Sequence, residues 1–454
     1  MLLGCRRAAP KSLRWVSIRS IFQGEDNRDA ARIEERELQD QVRILGSRGE
    51  WEQMLSAIET AKLDGVKVTR SALRSAFIAL GEVGPVSNLK ALALLHSMKD
   101  ANVTLDAEGC KAAIKAIPRQ SVKAAMKEFK KQGHEVTDPE LYEAAVLKVG
   151  KGDHGDIGVA LSLVNDMKRL GLTPTYGTQS MLLTLCQRHR RPETALAILR
   201  EMGNTALPKD FTKVLACCSQ SGQWKEALHL LDTMKSSDNK PNLVHYATAI
   251  TALGNAENWS RAVSMLKNDI RDAGLVPDDS CYQAGIHACS GGGNWRGALE
   301  LIDNMTSDGL VPSTVAYSCA INACAKGNNW EAAVDLLEEM RRCGAKPNTV
   351  AYNSALNACA RCGEWQTALG LLEEMKGLNL RLNPMTYTCA IRALGPRWER
   401  AEELMLEMES RGVEPDERCY RAMVNSLVSA GEVEQAHRLI ATAKEQLQRS
   451  QRQK

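Results

Sequence analysis

Aromatic residues make up only 4% of this 454-residue chain, and most of them fall at one recurring spacing. No run of 18 apolar residues exists, which excludes a membrane-spanning helix. The eight histidines are scattered singly. No His-x-Glu is followed by Pro-Cys-x-x-Cys and no acidic cluster suits a nuclease metal, so neither a zinc deaminase nor a metal nuclease is written here. One Cys-x-x-Cys occurs, Cys359 to Cys362, with no second knuckle nearby to complete four zinc ligands. Net charge is also small, at +3. Arg6, Arg7, Lys11, Arg14 and Arg19 exceed that total, leaving about −2 for everything after residue 24. A nucleic-acid partner cannot be argued from net charge and would need a local basic surface.

What the chain does have is internal repetition. Residues 279–313, 314–348 and 349–383 superpose at a spacing of 35. Each carries Tyr near its start (Tyr282, Tyr317, Tyr352) and Ala-Cys further on (Cys289, Cys324, Cys359). Each then has Trp (Trp295, Trp330, Trp365), Ala (Ala298, Ala333, Ala368) and Met (Met305, Met340, Met375). A period of 20–50 residues is the mark of a solenoid. The pattern continues through 208–242, through 243–278 (one residue longer), through 384–416 (two shorter) and through 417–451. It frays upstream, in 35–69, 70–106, 107–138, 139–175 and 176–207, giving twelve units in all.

Within 314–348 the apolar residues follow helical spacing twice: Tyr317, Ala320, Ile321, Cys324, then Ala333, Leu336, Leu337, Met340. Gly327-Asn328-Asn329 separates the two stripes, and Gly344 with Pro347 ends the second. Each unit is therefore an αα-hairpin that must stack on its neighbours to bury both stripes. The predicted fold is all-α: a right-handed α-α superhelix of about twelve helix-turn-helix repeats, with the first helix of each lining the concave side. Cys186, Cys218, Cys289, Cys324 and Cys359 share one repeat position, and stacked hairpins hold them too far apart for disulfides. They read as small buried hydrophobes of a reducing compartment. Trp51, Trp224, Trp259, Trp295, Trp330 and Trp365 share another position, beside the hairpin turn, and read as packing residues and not as a base-stacking platform.

The first 24 residues hold five basic residues, no acid and interspersed apolar residues. That is the composition of an organelle transit peptide, without the continuous apolar core of a secretory signal. The expected organisation is a transit peptide and linker over 1–34, degenerate repeats over 35–207 and well-matched repeats over 208–451. The expected compartment is the mitochondrion, because arginine outweighs serine and threonine, with the plastid as the alternative.

The stretch V-A-Y-N-S-A-L-N-A-C-A-R-C-G-E-W-Q-T-A-L-G-L-L-E-E-M-K-G at 350–377 resembles a pentatricopeptide repeat, as do its neighbours ending in Lys-Pro-Asn or Val-Pro-Ser. The tetratricopeptide pattern, with period 34, an early Trp and a Gly in the first helix, fits less well. The resemblance implies organellar single-stranded RNA as partner, each repeat reading one base with two or three side chains. The family's reading positions are the fifth and the last residue, with the second residue packing on the base. Carried over, Thr212 with Asn242 and Ser318 with Asn348 resemble adenine readers. Asn353 with Asn383 resembles a pyrimidine reader, and Thr388 with Asp416 a guanine reader. Val315 and Val350 take the base-packing position, and Lys326 and Arg361, with Arg188 at the same register, take a position where a cation reaches phosphate. Ala247 with Asp278 and Gln283 with Ser313 match no reading pair, and Arg74, Lys111 and Glu143 lie outside the family's usual set.

The resemblance thus implies a sequence-selective RNA-binding protein in transcript processing, stability or translation. The alternative is a protein-binding scaffold, such as a structural subunit of an organellar ribosome, with ribosomal or RNA-processing proteins as partners. Neither reading involves catalysis, a metal, a cofactor, a small-molecule substrate or a membrane.

Overall fold

The computed structural model describes residues 27–83, 88–100, 105–131, 138–152, 155–237 and 239–452. The expected targeting segment at 1–24 lies outside these. Among the described residues there is no strand, and the helices pair into twelve hairpins, as the period requires. The chain divides into two compact units, one running to residue 189 and including 193–205, the other formed by 190–192 and everything from 206 onward.

The first helix does not wait for residue 35. It spans Asn27–Ser47, so the expected linker over 27–34 is helical. The physical reason is a stripe that starts early: Glu34, Leu38 and Val42 are all buried. Five hairpins belong to the first unit, beginning at Asn27, Arg70, Ala107, Pro139 and Tyr176. Seven belong to the second, beginning at Pro208, Leu243, Asp279, Thr314, Thr349, Pro384 and Glu417.

The hairpin of 314–348 shows how local sequence sets each element. Ser313 caps Thr314–Lys326 by accepting the Ala316 amide at 3.2 Å. Asn328, in the left-handed region at φ 55°, makes the turn, and Asn329 caps Trp330–Arg342 through the Ala332 amide at 3.1 Å. The same turn position is Gly222, Gly293 and Gly363 in other repeats and Glu257 in one. Glu257 holds φ 57° without glycine's freedom, a strain of about 1–2 kcal/mol.

The two off-length repeats are absorbed locally. The extra residue of 243–278 goes into a π turn, Met265–Asp269, inside the continuous helix over 259–272, so the stripes on either side stay in register. The two missing residues of 384–416 shorten its first helix to Pro384–Leu394, eleven residues against thirteen or fourteen elsewhere in the second unit.

Within the second unit, first helices pack on first helices, and each second helix packs on the first helices of its own and the following hairpin. Tyr246, Tyr282, Tyr317, Tyr352 and Tyr387 are fully buried in these seams, with Ala323 and Ala333. Cys186, Cys218, Cys289, Cys324 and Cys359 are fully buried too, and all thirteen described cysteines are free thiols. Burial pushes the Cys289, Cys324 and Cys359 thiols up to about 12, which makes them inert. The second helices are tied to one another by charge instead: Lys267 to Glu300, Arg271 to Asp308 at 2.9 Å, Arg341 to Glu374 at 2.5 Å and Lys376 to Glu407 at 2.8 Å.

Where one hairpin meets the next, Trp259 and Trp295 seat on the end of the following first helix, against Gly292 and Gly327. Trp295 lies so close to Gly327 that a Cβ there would stand 2.4 Å from its Cδ1 and 2.8 Å from the Gly293 carbonyl oxygen. Gly370, by contrast, is a helical glycine with nothing within 4 Å of a built Cβ. Gly327→Ala should lose about 1–3 kcal/mol to overpacking, whereas Gly370→Ala should gain roughly 0.5–1 kcal/mol from helix propensity. Thermal melts of the two variants should therefore shift in opposite directions.

Candidate functional site

The last residue of each repeat is the N-cap of the next first helix. Asn242, Asn348 and Asn383 accept the backbone amides of His245 (3.2 Å), Ala351 (2.9 Å) and Thr386 (3.0 Å) through Oδ1, and Asp416 accepts that of Cys419 (2.9 Å). The cap fixes the amide orientation, because only the carbonyl oxygen can accept. An asparagine so held keeps its NH2 out of the cap bond as a donor; an aspartate keeps its second oxygen out of it as an acceptor. Asn242 and Asn348 are exposed, Asn383 and Asp416 half-buried. Ser or Asn before a helix is a capping signature, so the capping was readable in the sequence.

The fifth residue meets the last one to different degrees. Asn353 and Asn383 are brought together directly: Asn353 Nδ2 donates to Asn383 Oδ1 at 3.4 Å, and Thr386 donates to Asn353 Oδ1 at 2.8 Å. Gln283 and Ser313 also touch, Nε2 to Oγ at 3.3 Å, although no reading pair was assigned to them. Ser318 is buried at 8% exposure, with its hydroxyl donating to the Thr314 carbonyl at 2.7 Å. Thr388 is buried at 5%, donating to the Pro384 carbonyl at 2.8 Å beside Cys419 Sγ at 3.1 Å. No bond joins either to its partner Asn348 or Asp416; Asp416 has Arg418 Nε at 3.5 Å instead.

Thr212 and Asn242 are joined through a residue that sequence reasoning missed. His245 is fully buried between them. Its Nδ1 accepts the Asn242 amide at 3.1 Å, so Nε2 carries the proton and donates to the Pro208 carbonyl at 2.9 Å, with Thr212 Oγ1 at 3.1 Å. Nothing in the repeat pattern marks this histidine.

Position two is a ridge of exposed apolar side chains. Val315 is 58% exposed and Val350 61%, and Val244 and Met385 stand exposed at the same register. The latter two were legible from the 35-residue spacing. Lys326 and Arg361 are exposed at the end of their first helices and reach back one hairpin, Lys326 Nζ to the Gly291 carbonyl at 3.1 Å and Arg361 Nε to Asn328 Oδ1 at 2.7 Å. Both stand on the turn edge, and neither has a carboxylate partner among the described residues.

The first unit fills the same positions with charge. Arg74 pairs with Asp106 at 3.3 Å and Glu108 at 2.9 Å; Lys111 pairs with Asp138 at 2.7 Å and Glu140 at 2.5 Å. These are the fifth residue, the last residue and the second residue of the following repeat. Hydrogen bonding holds the Lys111 ammonium above its ordinary value, mainly through Asp138, and holds Asp138 below its own through Lys111. In the next repeat Thr175 donates to Glu143 at 2.8 Å. The three fifth-position residues that fell outside the reading set are thus each bonded to the last residue of their own repeat.

With this geometry in place, comparison with known proteins is informative. Models described as PPR repeat family match 312–361 and 347–395, one described as pentatricopeptide repeat domain matches 265–329, and one described as PPR repeat matches 211–239. A pentatricopeptide repeat-containing protein of Arabidopsis thaliana is 36% identical over 88 residues, 18% of this chain and 9% of that protein. The chain therefore matches less than a tenth of that relative's length. Among solved structures, the pentatricopeptide repeat protein PPR10 from maize is similar at 18% identity and a TM-score of 0.43, covering 90% of this chain and 63% of that one. The PPR domain of Arabidopsis thaliana protein-only RNase P 1, solved with tRNA, is similar at 16% identity and a TM-score of 0.34, covering 42% and 95%.

Burial lowers the His245 pKa, partly offset by the Pro208 carbonyl. The unfolded chain then takes up a proton first as pH falls below about 6.5, so the stability this site contributes is complete above that value and declines below it. The second unit should weaken between pH 7.5 and 5.5, and His245→Asn, which can still accept the Asn242 amide, should lose less over that range. Urea midpoints measured at the two pH values for both proteins check this.

Proposed function

From the premise that this chain is a pentatricopeptide repeat protein, we propose that it is a sequence-selective single-stranded RNA-binding protein of an organelle that acts without catalysis in transcript processing, stability or translation. The observation that carries the reading is the pairing in the second unit. Asn242, Asn348, Asn383 and Asp416 cap the following helix at their repeat junctions, Asn383 is bonded directly to its fifth-position partner Asn353, and Val244, Val315, Val350 and Met385 are exposed at position two. An amide so held donates to a base edge and a carboxylate so held accepts from one, which is the chemical distinction a base reader needs. The apolar ridge supplies the flat contact that an unstacked base loses on leaving its neighbours. Lys326 and Arg361 supply phosphate contacts that add affinity without sequence preference.

With the amino end toward the RNA 5′ end, the repeats from residue 208 onward would prefer 5′-A-N-N-A-Y-G-3′, where Y is a pyrimidine and N is unassigned. The target compartment is the mitochondrion, on the strength of the basic, acid-free first 24 residues.

The direct test is Asn353→Thr. With Asn383 unchanged it converts a pyrimidine-type pair into an adenine-type pair. The variant also removes the Asn353 amide that Asn383 now receives. Selection from a random RNA pool should show the fifth base switching from pyrimidine to adenine, each mismatch weakening binding by about 1–3 kcal/mol. Enrichment of one base by both proteins would contradict base reading by this repeat.

A further inference from the structure

The third residue of a repeat lies in the first turn of its first helix, beside the residue that ends the repeat before. It is alanine at 316 and 351, but at 245 and 386 it is a polar side chain, fully buried. Thr386 and His245 each return a bond to the residue that caps their helix. Thr386 Oγ1 accepts the Asn383 backbone amide at 3.3 Å, and His245 Nδ1 accepts that of Asn242 at 3.1 Å. Each also reaches the fifth residue of the preceding repeat, Asn353 at 2.8 Å and Thr212 at 3.1 Å. A reciprocal cap needs only the first of these bonds. The second runs to a side chain 33 positions back and adds nothing to the helix start.

Around Thr386 the hydrogen bonds leave one assignment for every polar atom. The Thr386 backbone amide can only donate, so the Asn383 atom 3.0 Å from it is Oδ1. The Asn353 atom 3.4 Å from that oxygen is then Nδ2, because two carbonyl oxygens repel. The other end of the Asn353 amide is its oxygen. It lies 2.8 Å from Thr386 Oγ1, closer than the 3.1 Å between Oγ1 and Asn383 Oδ1. The hydroxyl has one proton and gives it to Asn353. Both amide oxygens are thus engaged within the protein. Asn383 Nδ2 has no hydrogen-bond partner among the described residues, and Asn353 Nδ2 keeps one hydrogen. N–H donors are what the pair has left to offer.

A set of donors does not treat the two pyrimidines alike. Cytosine has adjacent acceptors, O2 and N3, on its Watson–Crick edge. Uracil has a donor, N3–H, between its two carbonyls, and a donor set against donors stays unpaired. Rotation of the Asn353 amide would offer its oxygen to that N3–H, and the Thr386 hydroxyl opposes the rotation. The pair of Ser318 and Asn348 has no such tie, since the third residue that follows it is Ala351.

We infer that Thr386 is a positioning residue of the Asn353–Asn383 pair: its hydroxyl holds the Asn353 amide with the nitrogen toward Asn383, and so makes this repeat select cytosine over uracil. His245 occupies the equivalent place for Thr212 and Asn242. This rests on the RNA-binding reading above and adds to it a residue that is itself buried.

The test measures binding of the full chain to three RNA probes that share one flanking sequence and contain 5′-AUUACG-3′, 5′-AUUAUG-3′ or 5′-AUUAAG-3′. Wild type should bind the cytosine probe about tenfold more tightly than the uracil probe, the size of a single mismatch, and both more tightly than the adenine probe. Thr386→Ser keeps the hydroxyl and should keep the cytosine-to-uracil ratio. Thr386→Val keeps the shape without the hydroxyl, and Thr386→Ala places there the residue found at 316 and 351; both should bring the ratio close to one. Thermal melts show which of these two is folded, and one folded variant suffices. A purely structural role would weaken every probe by one factor and leave the ratio in place, which overturns the inference. Loss of the ratio in the serine variant overturns it too, because the hydroxyl is then not the cause. Equal binding of the two pyrimidines by wild type, or a preference for uracil, with adenine still rejected, overturns it while base reading stands. Equal binding of all three probes overturns both.

Discussion

The hydrogen bond that the last residue of one repeat accepts from the backbone of the next first helix joins the architecture to the proposed base reading in this chain. Thr69, Asp106, Asp138, Thr175, Asn242, Asp278, Ser313, Asn348, Asn383 and Asp416 all make it. Each cap satisfies an amide that the helix start would leave orphaned. It also holds one polar side chain in a fixed orientation at every junction between hairpins. Leu207 is the exception; there the Asp210 carboxylate accepts the Leu207 amide at 3.2 Å instead. Without the cap the last residue would be a free rotamer, and its donor or acceptor character would carry no information.

The two units use the same junction in opposite ways. In the second, Asn242, Ser313, Asn348 and Asn383 cap with neutral amides and a hydroxyl, and Asp278 and Asp416 with carboxylates. In the first, two of the junctions are ions locked to ions, Arg74 with Asp106 and Lys111 with Asp138. These pairs are partly exposed, so each contributes only about 0.2–1 kcal/mol to stability. Their larger effect is to remove donors and acceptors from reach. Stability comes instead from the buried tyrosines, alanines and cysteines between first helices; the ion pairs along the second helices are partly exposed as well and contribute as little.

Much of the fold was legible because one period repeats a full set of steric demands. Tyr317, Cys324, Ala333 and Met340 each announce a buried position, and repetition removes the ambiguity a single occurrence would carry. The π turn at Met265–Asp269 was legible as a one-residue excess, though its location was not. The helical start at Asn27 was not legible, because its stripe begins with a charged residue, Glu34. Of the site, the capping residues and the exposed Val315 and Val350 could be placed from register alone. The burial of Ser318 and Thr388 could not, because it depends on how far the next hairpin leans over them. His245 and the Arg74 and Lys111 junctions join residues 27 or more positions apart, which no local pattern connects.

The central claim is that bases are selected by the second unit. Ultraviolet crosslinking of RNA to the protein in cells, with sequencing of the RNA and mass spectrometry of the attached peptides, tests it most directly. The account predicts one short transcript footprint, with bases attached to peptides that contain Val315, Val350 or Met385. Broad recovery of ribosomal RNA together with ribosomal proteins, and no attachment at those peptides, would contradict it and identify the chain as a structural scaffold.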